Sequence, residues 1–218
     1  MVRQRIHGSR AGTTMIELLF MMSLLSLIVG ALFALGNAGT RLFNSGISRA
    51  SLESRAAQTI DRLERDLESA RADSFDALPA SPLWQESISF DRVASIRGYD
   101  GRITWTTSRV ELRYEAGELD DGIDNDGDEL IDECEAVLVL DDSGPNEQTI
   151  VLAHEVREYL EGETANGADD NGNGLIDERG LCFERTGDDL ALRLTLEARD
   201  REGRLMTRSL ETSVYPRN

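Results

Sequence analysis

The sequence predicts an α+β fold: one long N-terminal helix followed by an antiparallel sheet that carries two loop insertions. Three observations lead to this prediction. An uncharged apolar segment continues into a helical pattern, a series of short strand-like runs follows, and an acidic segment is present twice. A chain of 218 residues has room for one head domain and an appendage.

The negative charge is confined to one part of the chain. Residues 114–178 hold 22 acids and one Arg, a net charge of −21, whereas the remaining residues sum to +3. Nucleic-acid binding needs clustered cations, so this composition excludes nucleic acid as a partner. We predict that the protein is not an enzyme, because the sequence contains no Gly-rich phosphate loop and no Gly-x-Ser-x-Gly motif.

The uncharged N-terminal segment is long enough to cross a membrane. It runs from Leu18 to Thr40, and an apolar run of about 20 residues spans a bilayer as a helix. Basic residues before it predict a cytoplasmic N-terminus and an exported C-terminus. Three interpretations are open: a signal cleaved near Gly36-Asn37-Ala38, a plain anchor, or a segment processed before the apolar run.

Glu17 lies inside this apolar segment, where a carboxylate costs free energy on insertion. The residues around it, Gly12-Thr13-Thr14-Met15-Ile16-Glu17-Leu18-Leu19, resemble the type IV prepilin cleavage and methylation motif. That motif has a Gly before the cut, a Glu five residues after it, and a long apolar helix. The resemblance implies cleavage after Gly12 by a membrane prepilin peptidase and N-methylation of Thr13. It also implies that Glu17 faces the free amino terminus of a neighbouring subunit during assembly.

The helical pattern continues beyond the membrane segment. Apolar residues recur from Leu42 to Ala70 at intervals of mostly three to five, which predicts an amphipathic helix with one buried face. We therefore divide the chain into four parts. They are a leader (1–12), a transmembrane and assembly helix (13–40), its amphipathic second half (41–78), and a globular head (79–218) with insertions at about 118–135 and 163–180.

The head contains runs that predict strands, at 87–90, 102–106, 110–114, 136–140, 149–152, 190–196 and 205–214. A long helix followed by strands matches the pilin fold that the N-terminal motif implies. The stretch from Ile60 to Ala70 and the ending from Leu210 to Asn218 also resemble minor pilins and J-type minor pseudopilins.

The acidic segment is an internal duplication. Residues 122–133 align without gaps on 167–178, at an offset of 45. Oxygen-bearing side chains at alternating positions are typical of EF-hand-like or thrombospondin-type calcium loops. We predict two Ca²⁺ sites, with Glu133 or Glu135 completing the first. Their predicted ligands are Asp124, Asp126, Asp128, the Leu130 carbonyl, Asp132 and Glu135 in the first copy, and Asp169, Asn171, Asn173, the Leu175 carbonyl, Asp177 and Glu178 in the second.

Each copy is followed by a cysteine, Cys134 or Cys182. In an oxidising exported compartment a disulfide between them is expected, and two buried free thiols are the alternative. We also expect both Leu-Ile pairs of the duplicated segment, at 130–131 and 175–176, to be buried in the head.

These observations together favour a minor pilin-like structural subunit of a type IV pilus, with a calcium-stabilised head, acting in pilus initiation or at the tip. Its expected partners are other pilins or pseudopilins, contacted through the N-terminal helix, and a prepilin peptidase and methyltransferase. We expect it in the inner membrane as a single-pass protein with a periplasmic head, or in an extracellular pilus. The alternatives are a minor pseudopilin of type II secretion and a membrane-anchored calcium-binding module or adhesin outside any filament.

Overall fold

The computed structural model describes residues 14–75, 83–96, 101–186 and 189–215. The predicted leader and the processing residues Gly12 and Thr13 lie outside the described residues, as does the predicted start of the head at residue 79.

The N-terminal element is a single helix, α1, from Met15 to Glu68. Thr14 precedes it and exchanges hydrogen bonds with Glu17. The Thr14 amide donates to Glu17 Oε2 at 2.9 Å, and the Glu17 amide donates to Thr14 Oγ1 at 3.3 Å. This reciprocal pair is a capping box, which satisfies amide groups that the first helical turn leaves without partners.

The two halves of α1 differ in what they contact. Its N-terminal part is apolar, exposed, and long enough to cross a membrane, so it fits a single-pass membrane anchor. Burial begins at Leu52, while Leu42 and Ile47 stay exposed, so the buried face is shorter than the sequence pattern predicted. The chain accordingly divides into two compact units between Asn44 and Ser45.

Seven antiparallel strands form one sheet, in the spatial order β1-β2-β3-β4-β6-β5, with β7 also paired to β6. A bridge between Gln85 and Phe183 brings the segment before β1 beside β5, so the sheet curls. The strands are β1 (Ser87–Ile96), β2 (Ile103–Tyr114), β3 (Cys134–Leu140), β4 (Gln148–Val156), β5 (Leu181–Thr186), β6 (Asp189–Arg199) and β7 (Leu205–Val214).

The core lies between the second half of α1 and the sheet. It contains Leu63 and Leu67 of the helix and Phe90, Phe183 and Leu194 of the strands. This confirms the predicted α+β arrangement. Two predicted strand runs are joined in β2, and β5 is a strand that the sequence analysis did not predict, because its six residues include Glu184 and Arg185.

Candidate metal centres in two repeated loops

The duplicated segments form two long connections between strands. The first loop (residues 118–133) joins β2 to β3, and the second loop (residues 163–178) lies between β4 and β5. Each therefore leaves one strand of the sheet and returns to another, so both ends of each loop are held by the sheet.

The tip of the first loop is folded by hydrogen bonds from backbone amides to aspartate side chains. Asp124 accepts from the amides of Gly127 at 2.6 Å and Glu129 at 2.9 Å. Asp126 Oδ1 accepts from the amide of Asp128 at 3.1 Å, and Asp128 accepts from the Leu130 amide at 2.9 Å. These turns bring carboxylate oxygens of the three alternating residues close together.

The second loop repeats this pattern position by position. Asp169 accepts from the amides of Gly172 at 2.6 Å and Gly174 at 2.9 Å. Asn171 Oδ1 accepts from the Asn173 amide at 2.9 Å, and Asn173 accepts from the Leu175 amide at 2.8 Å. The duplication therefore extends from the sequence to the backbone conformation.

A glutamate at the start of each loop holds the rest of that loop in place. Glu118 accepts from the amides of Asn125 at 2.9 Å, Asp126 at 2.8 Å and Asp132 at 3.2 Å. Glu163, 45 residues later, accepts from the amides of Asn171 and Asp177. We call these two residues the loop clamps. Neither residue was predicted from the sequence, although extending the same alignment upstream pairs Gly117-Glu118 with Gly162-Glu163.

Two of the predicted ligands close the base of each loop. The Asp132 carboxylate accepts from the amide of Gly122 at 2.8 Å, and the Asp177 carboxylate accepts from the amide of Gly167 at 2.9 Å. Asp132 gathers with Asp120 and Glu158 and not with the carboxylates at the loop tip, so we leave it, and Asp177 at the equivalent position, out of the proposed ligand sets.

The last residue of each loop is a buried glutamate with incomplete hydrogen bonding. Glu133 is 0% exposed, and neither of its carboxylate oxygens has a hydrogen-bond partner among the described residues. Glu178 is also 0% exposed; its Oε1 accepts from the Asn173 side chain, and its Oε2 has no partner there. A buried carboxylate without a partner is costly, so each residue indicates a positively charged ligand.

The surroundings of Glu133 raise its pKa to about 7, first through burial and then through the nearby carboxylates of Asp128, Glu118 and Asp126. Burial likewise raises the pKa of Glu178. Burial and neighbouring charges therefore oppose ionisation of the Glu133 and Glu178 carboxyl groups. A nearby cation would favour their ionised forms.

The donor atoms suit a hard divalent cation. Asp124, Asp126 and Asp128 each offer an oxygen within 4.8 Å of the others, and so do Glu118, Asp126 and Glu133. The second loop offers the same positions with Asn171 and Asn173 in place of two aspartates. Oxygen-only donor sets of this kind favour Ca²⁺ over softer metals, so the residues present fit the predicted ion.

The structure does not bring Glu135 to this cluster. It lies on β3 directly opposite Arg113 of β2, and its Oε1 accepts from Arg113 Nε at 2.6 Å. Its other oxygen lies 3.7 Å from Nδ1 of His154. Of the two glutamates considered for the first site, Glu133 is therefore the one beside the loop carboxylates.

The predicted disulfide is wrong in this structure: Cys134 and Cys182 are free, buried thiols. The Arg179 guanidinium lies against Cys134 Sγ at 3.9 Å, whereas Cys182 on β5 pairs in register with Arg193 of β6. The two sulfurs thus sit in different surroundings. Burial raises the pKa of each thiol to about 12, so both stay protonated at neutral pH.

The Leu-Ile pairs are only half buried. Leu130 and Leu175 lie in the interior, but Ile131 and Ile176 are each 51% exposed. Each loop therefore has one apolar anchor, where two were expected.

Comparisons with family models, curated proteins and solved structures found no match for this chain.

Proposed function

We propose that this protein is a membrane-anchored subunit of a type IV pilus-like filament, a minor pilin, whose head is stabilised by two Ca²⁺ ions. The observation that carries the proposal is the construction of α1. One continuous helix is apolar and exposed in its first part and packs on an antiparallel sheet in its second. Helices of this kind can pack together in a filament core while displaying the heads outside.

The N-terminal motif supports the same proposal. Cleavage after Gly12 would make Thr13 the first residue and Glu17 the fifth. A carboxylate in an apolar helix is tolerable when an ammonium group pairs with it, which a neighbouring subunit's amino terminus would supply. A minor pseudopilin of a type II secretion system would use the same chemistry.

The two loops support a cation requirement for the head. In the first, Asp124, Asp126, Asp128, the Leu130 carbonyl and Glu133 would hold the ion. In the second, the corresponding residues are Asp169, Asn171, Asn173, the Leu175 carbonyl and Glu178. The ion would supply positive charge to carboxylates that otherwise repel one another, and so it would order the chain between the strands.

One observation favours a second candidate, a membrane-anchored cation-binding module outside any filament. Glu17 already has a local role, because its Oε2 accepts from both the amide and the hydroxyl of Thr14. A capping glutamate needs no neighbouring subunit.

Two variants separate the candidates. In a filament subunit Glu17→Ala blocks incorporation but leaves membrane insertion intact, whereas Thr14→Ala, which removes only the local cap partner, still assembles. Equal incorporation of wild type and Glu17→Ala would reject the filament role of this carboxylate. Sequencing of the mature N-terminus adds an independent test: methylated Thr13 is expected, and a start near Asn37 or Gly39 would contradict it.

A further inference from the structure

Arg179 immediately follows the second loop, and its side chain packs between the two repeats. The guanidinium carbon lies 5.3 Å from the ring centre of Tyr114 and 5.2 Å from that of Tyr159. These two tyrosines are themselves 45 residues apart and occupy equivalent positions, each four residues before a loop clamp. One cation therefore stacks against the entrance of both loops.

The same side chain reaches the exit of the first loop. Arg179 Nη2 lies 3.9 Å from Sγ of Cys134, the residue after Glu133. Its Nη1 donates to Glu158 Oε1 at 2.8 Å, and that oxygen also accepts from the Tyr114 hydroxyl at 2.9 Å. Arg179 therefore contacts residues that flank the first loop, Tyr114 before it and Cys134 after it, although Arg179 itself directly follows the second loop.

Both buried ligand glutamates are tied to this arrangement through the backbone. The Glu115 amide donates to the carbonyl of Glu133 at 3.1 Å, and the Leu160 amide donates to the carbonyl of Glu178 at 2.8 Å. These bonds are equivalent in the two repeats. Arg179 directly follows Glu178, and Cys134 directly follows Glu133. The Arg179 and Cys134 side chains contact each other, so each buried glutamate is next in the chain to a residue of this contact.

We infer that the two loops bind their cations cooperatively, and that the Arg179 side chain, stacked between Tyr114 and Tyr159, couples them. This inference rests on the cation binding proposed above. Filling the second loop fixes Glu178 and with it Arg179, which holds Tyr114 and Cys134 in the positions that the filled first loop requires. The first ion then binds to a loop that needs less ordering, which is the physical origin of positive coupling.

The coupling can be measured by titrating the full chain in detergent micelles with Ca²⁺. Asp169→Ala removes a ligand at the exposed tip of the second loop, away from Arg179. We expect it to weaken binding at the first loop by about fivefold or more, within the usual range of coupling between sites. In an Arg179→Met background the same change should alter first-loop affinity by less than about twofold, which completes a double-mutant cycle.

Arg193→Met is the matched control. Its side chain is 13% exposed, against 15% for Arg179, and it pairs with Glu184 on β5 without contacting either tyrosine. It removes an equally buried positive charge near the second loop, so it should keep the fivefold coupling. Tyr114→Leu, which removes one stacking surface and leaves Arg179 in place, is a second coupling variant should Arg179→Met fail to fold.

Coupling between two sites acts equally in both directions, so the effect of the first loop on the second can be measured independently by tryptophan fluorescence. The Trp84 indole Nε1 donates to the carbonyl of Ile176 at 2.9 Å, so its emission reports on the second loop. In a Trp105→Phe background Trp84 is the only tryptophan. Asp124→Ala in the first loop should then shift the Trp84 calcium midpoint by the same factor, as linkage requires.

The outcomes separate this inference from the proposal beneath it. If the wild-type chain binds no Ca²⁺, the proposed cation sites are wrong. If both loops bind and Asp169→Ala leaves the first-loop affinity unchanged, the sites stand and the coupling is rejected. If coupling persists in both Arg179→Met and Tyr114→Leu, the route through Arg179 is rejected.

Discussion

The first and second loops have the same hydrogen-bonding pattern and different charge. Five carboxylates surround the proposed first site: Glu118, Asp124, Asp126, Asp128 and Glu133. The second site has three, because Asn171 and Asn173 stand in place of two aspartates. An amide oxygen accepts a backbone hydrogen bond as a carboxylate oxygen does, so the exchange preserves the turns. Oxygen acceptors at alternating positions therefore determine the shape of each loop. We expect the number of charged carboxylates to determine how strongly each loop binds a cation.

The loops also differ in the hydrogen bonding of their buried glutamates. Asn173 donates its side-chain amide to Glu178, which gives that buried glutamate one partner. Glu133 has no such donor, because Asp128 occupies the equivalent position. We therefore expect the first loop to depend on the proposed cation more strongly than the second does.

The largest effects are expected from removing a loop clamp, because its hydrogen bonds hold the loop conformation that the two loops share. Hydrogen bonds to a charged acceptor contribute about 1.5–3 kcal/mol each. Glu118 accepts three and Glu163 two, so at the lower end of that range Glu118→Ala should lower the free energy of unfolding by about 4.5 kcal/mol and Glu163→Ala by about 3 kcal/mol. Thermal unfolding of the full chain in detergent measures both. Asp120→Ala, at an exposed position of the same loop, is the control; an equal loss in this variant would contradict the clamp role.

Exchanging the charges would test whether they alone distinguish the loops. Asp126→Asn combined with Asp128→Asn gives the first loop the side chains of the second, and should weaken its Ca²⁺ binding by about 100-fold. Asn171→Asp combined with Asn173→Asp should strengthen Ca²⁺ binding by the second loop. Titration calorimetry reads both affinities, with Asp61→Asn on the exposed face of α1 as the control. Unchanged affinities would mean that charge does not set the difference.

A pH series on the chelator-treated protein should expose the unpartnered Glu133. Its folded-state pKa of about 7 lies above the ordinary value of 4.5. Between these values the folded protein holds a proton that the unfolded chain has lost, so stability falls as the pH rises from about 4.5 to about 7. The change should be about 3 kcal/mol and disappear in Glu133→Gln or on adding Ca²⁺. A flat stability profile between pH 4.5 and pH 7 for the chelator-treated wild-type protein would reject this prediction.

The smallest expected difference concerns Glu129 and Gly174, which are the sixth residues when counted from Asp124 and Asp169. Glu129 has a φ of 77°, and Gly174 at the equivalent position has a φ of 93°. Only glycine adopts this region without a steric cost, so Glu129→Gly should stabilise the protein by about 1 kcal/mol and Gly174→Ala should destabilise it by a similar amount. Denaturation midpoints check this pair, and effects of the same sign in both variants would contradict it.

Much of the fold and of the site follows from local sequence signals. The capping residues, the apolar periodicity of α1 and the alternating strands depend on neighbouring residues, and the duplicated oxygen pattern determines the turns of both loops. The strand β5 was missed because it is short and charged, with burial supplied by strands and helix residues distant in the chain. The loop clamps were missed because each acts on residues up to 14 positions away.

By itself, then, the sequence determined the α+β plan, the membrane-compatible helix and the two loops with alternating oxygen donors, because each depends on periodic or repeated local chemistry. Only the tertiary structure decided which glutamate lies beside the carboxylates of the proposed first site. Register places Glu135 opposite Arg113 on the sheet and leaves Glu133 buried beside the loop carboxylates. It also decided that the cysteines stay apart and that Arg179 stacks between the repeats, since these contacts depend on how distant strands are brought together.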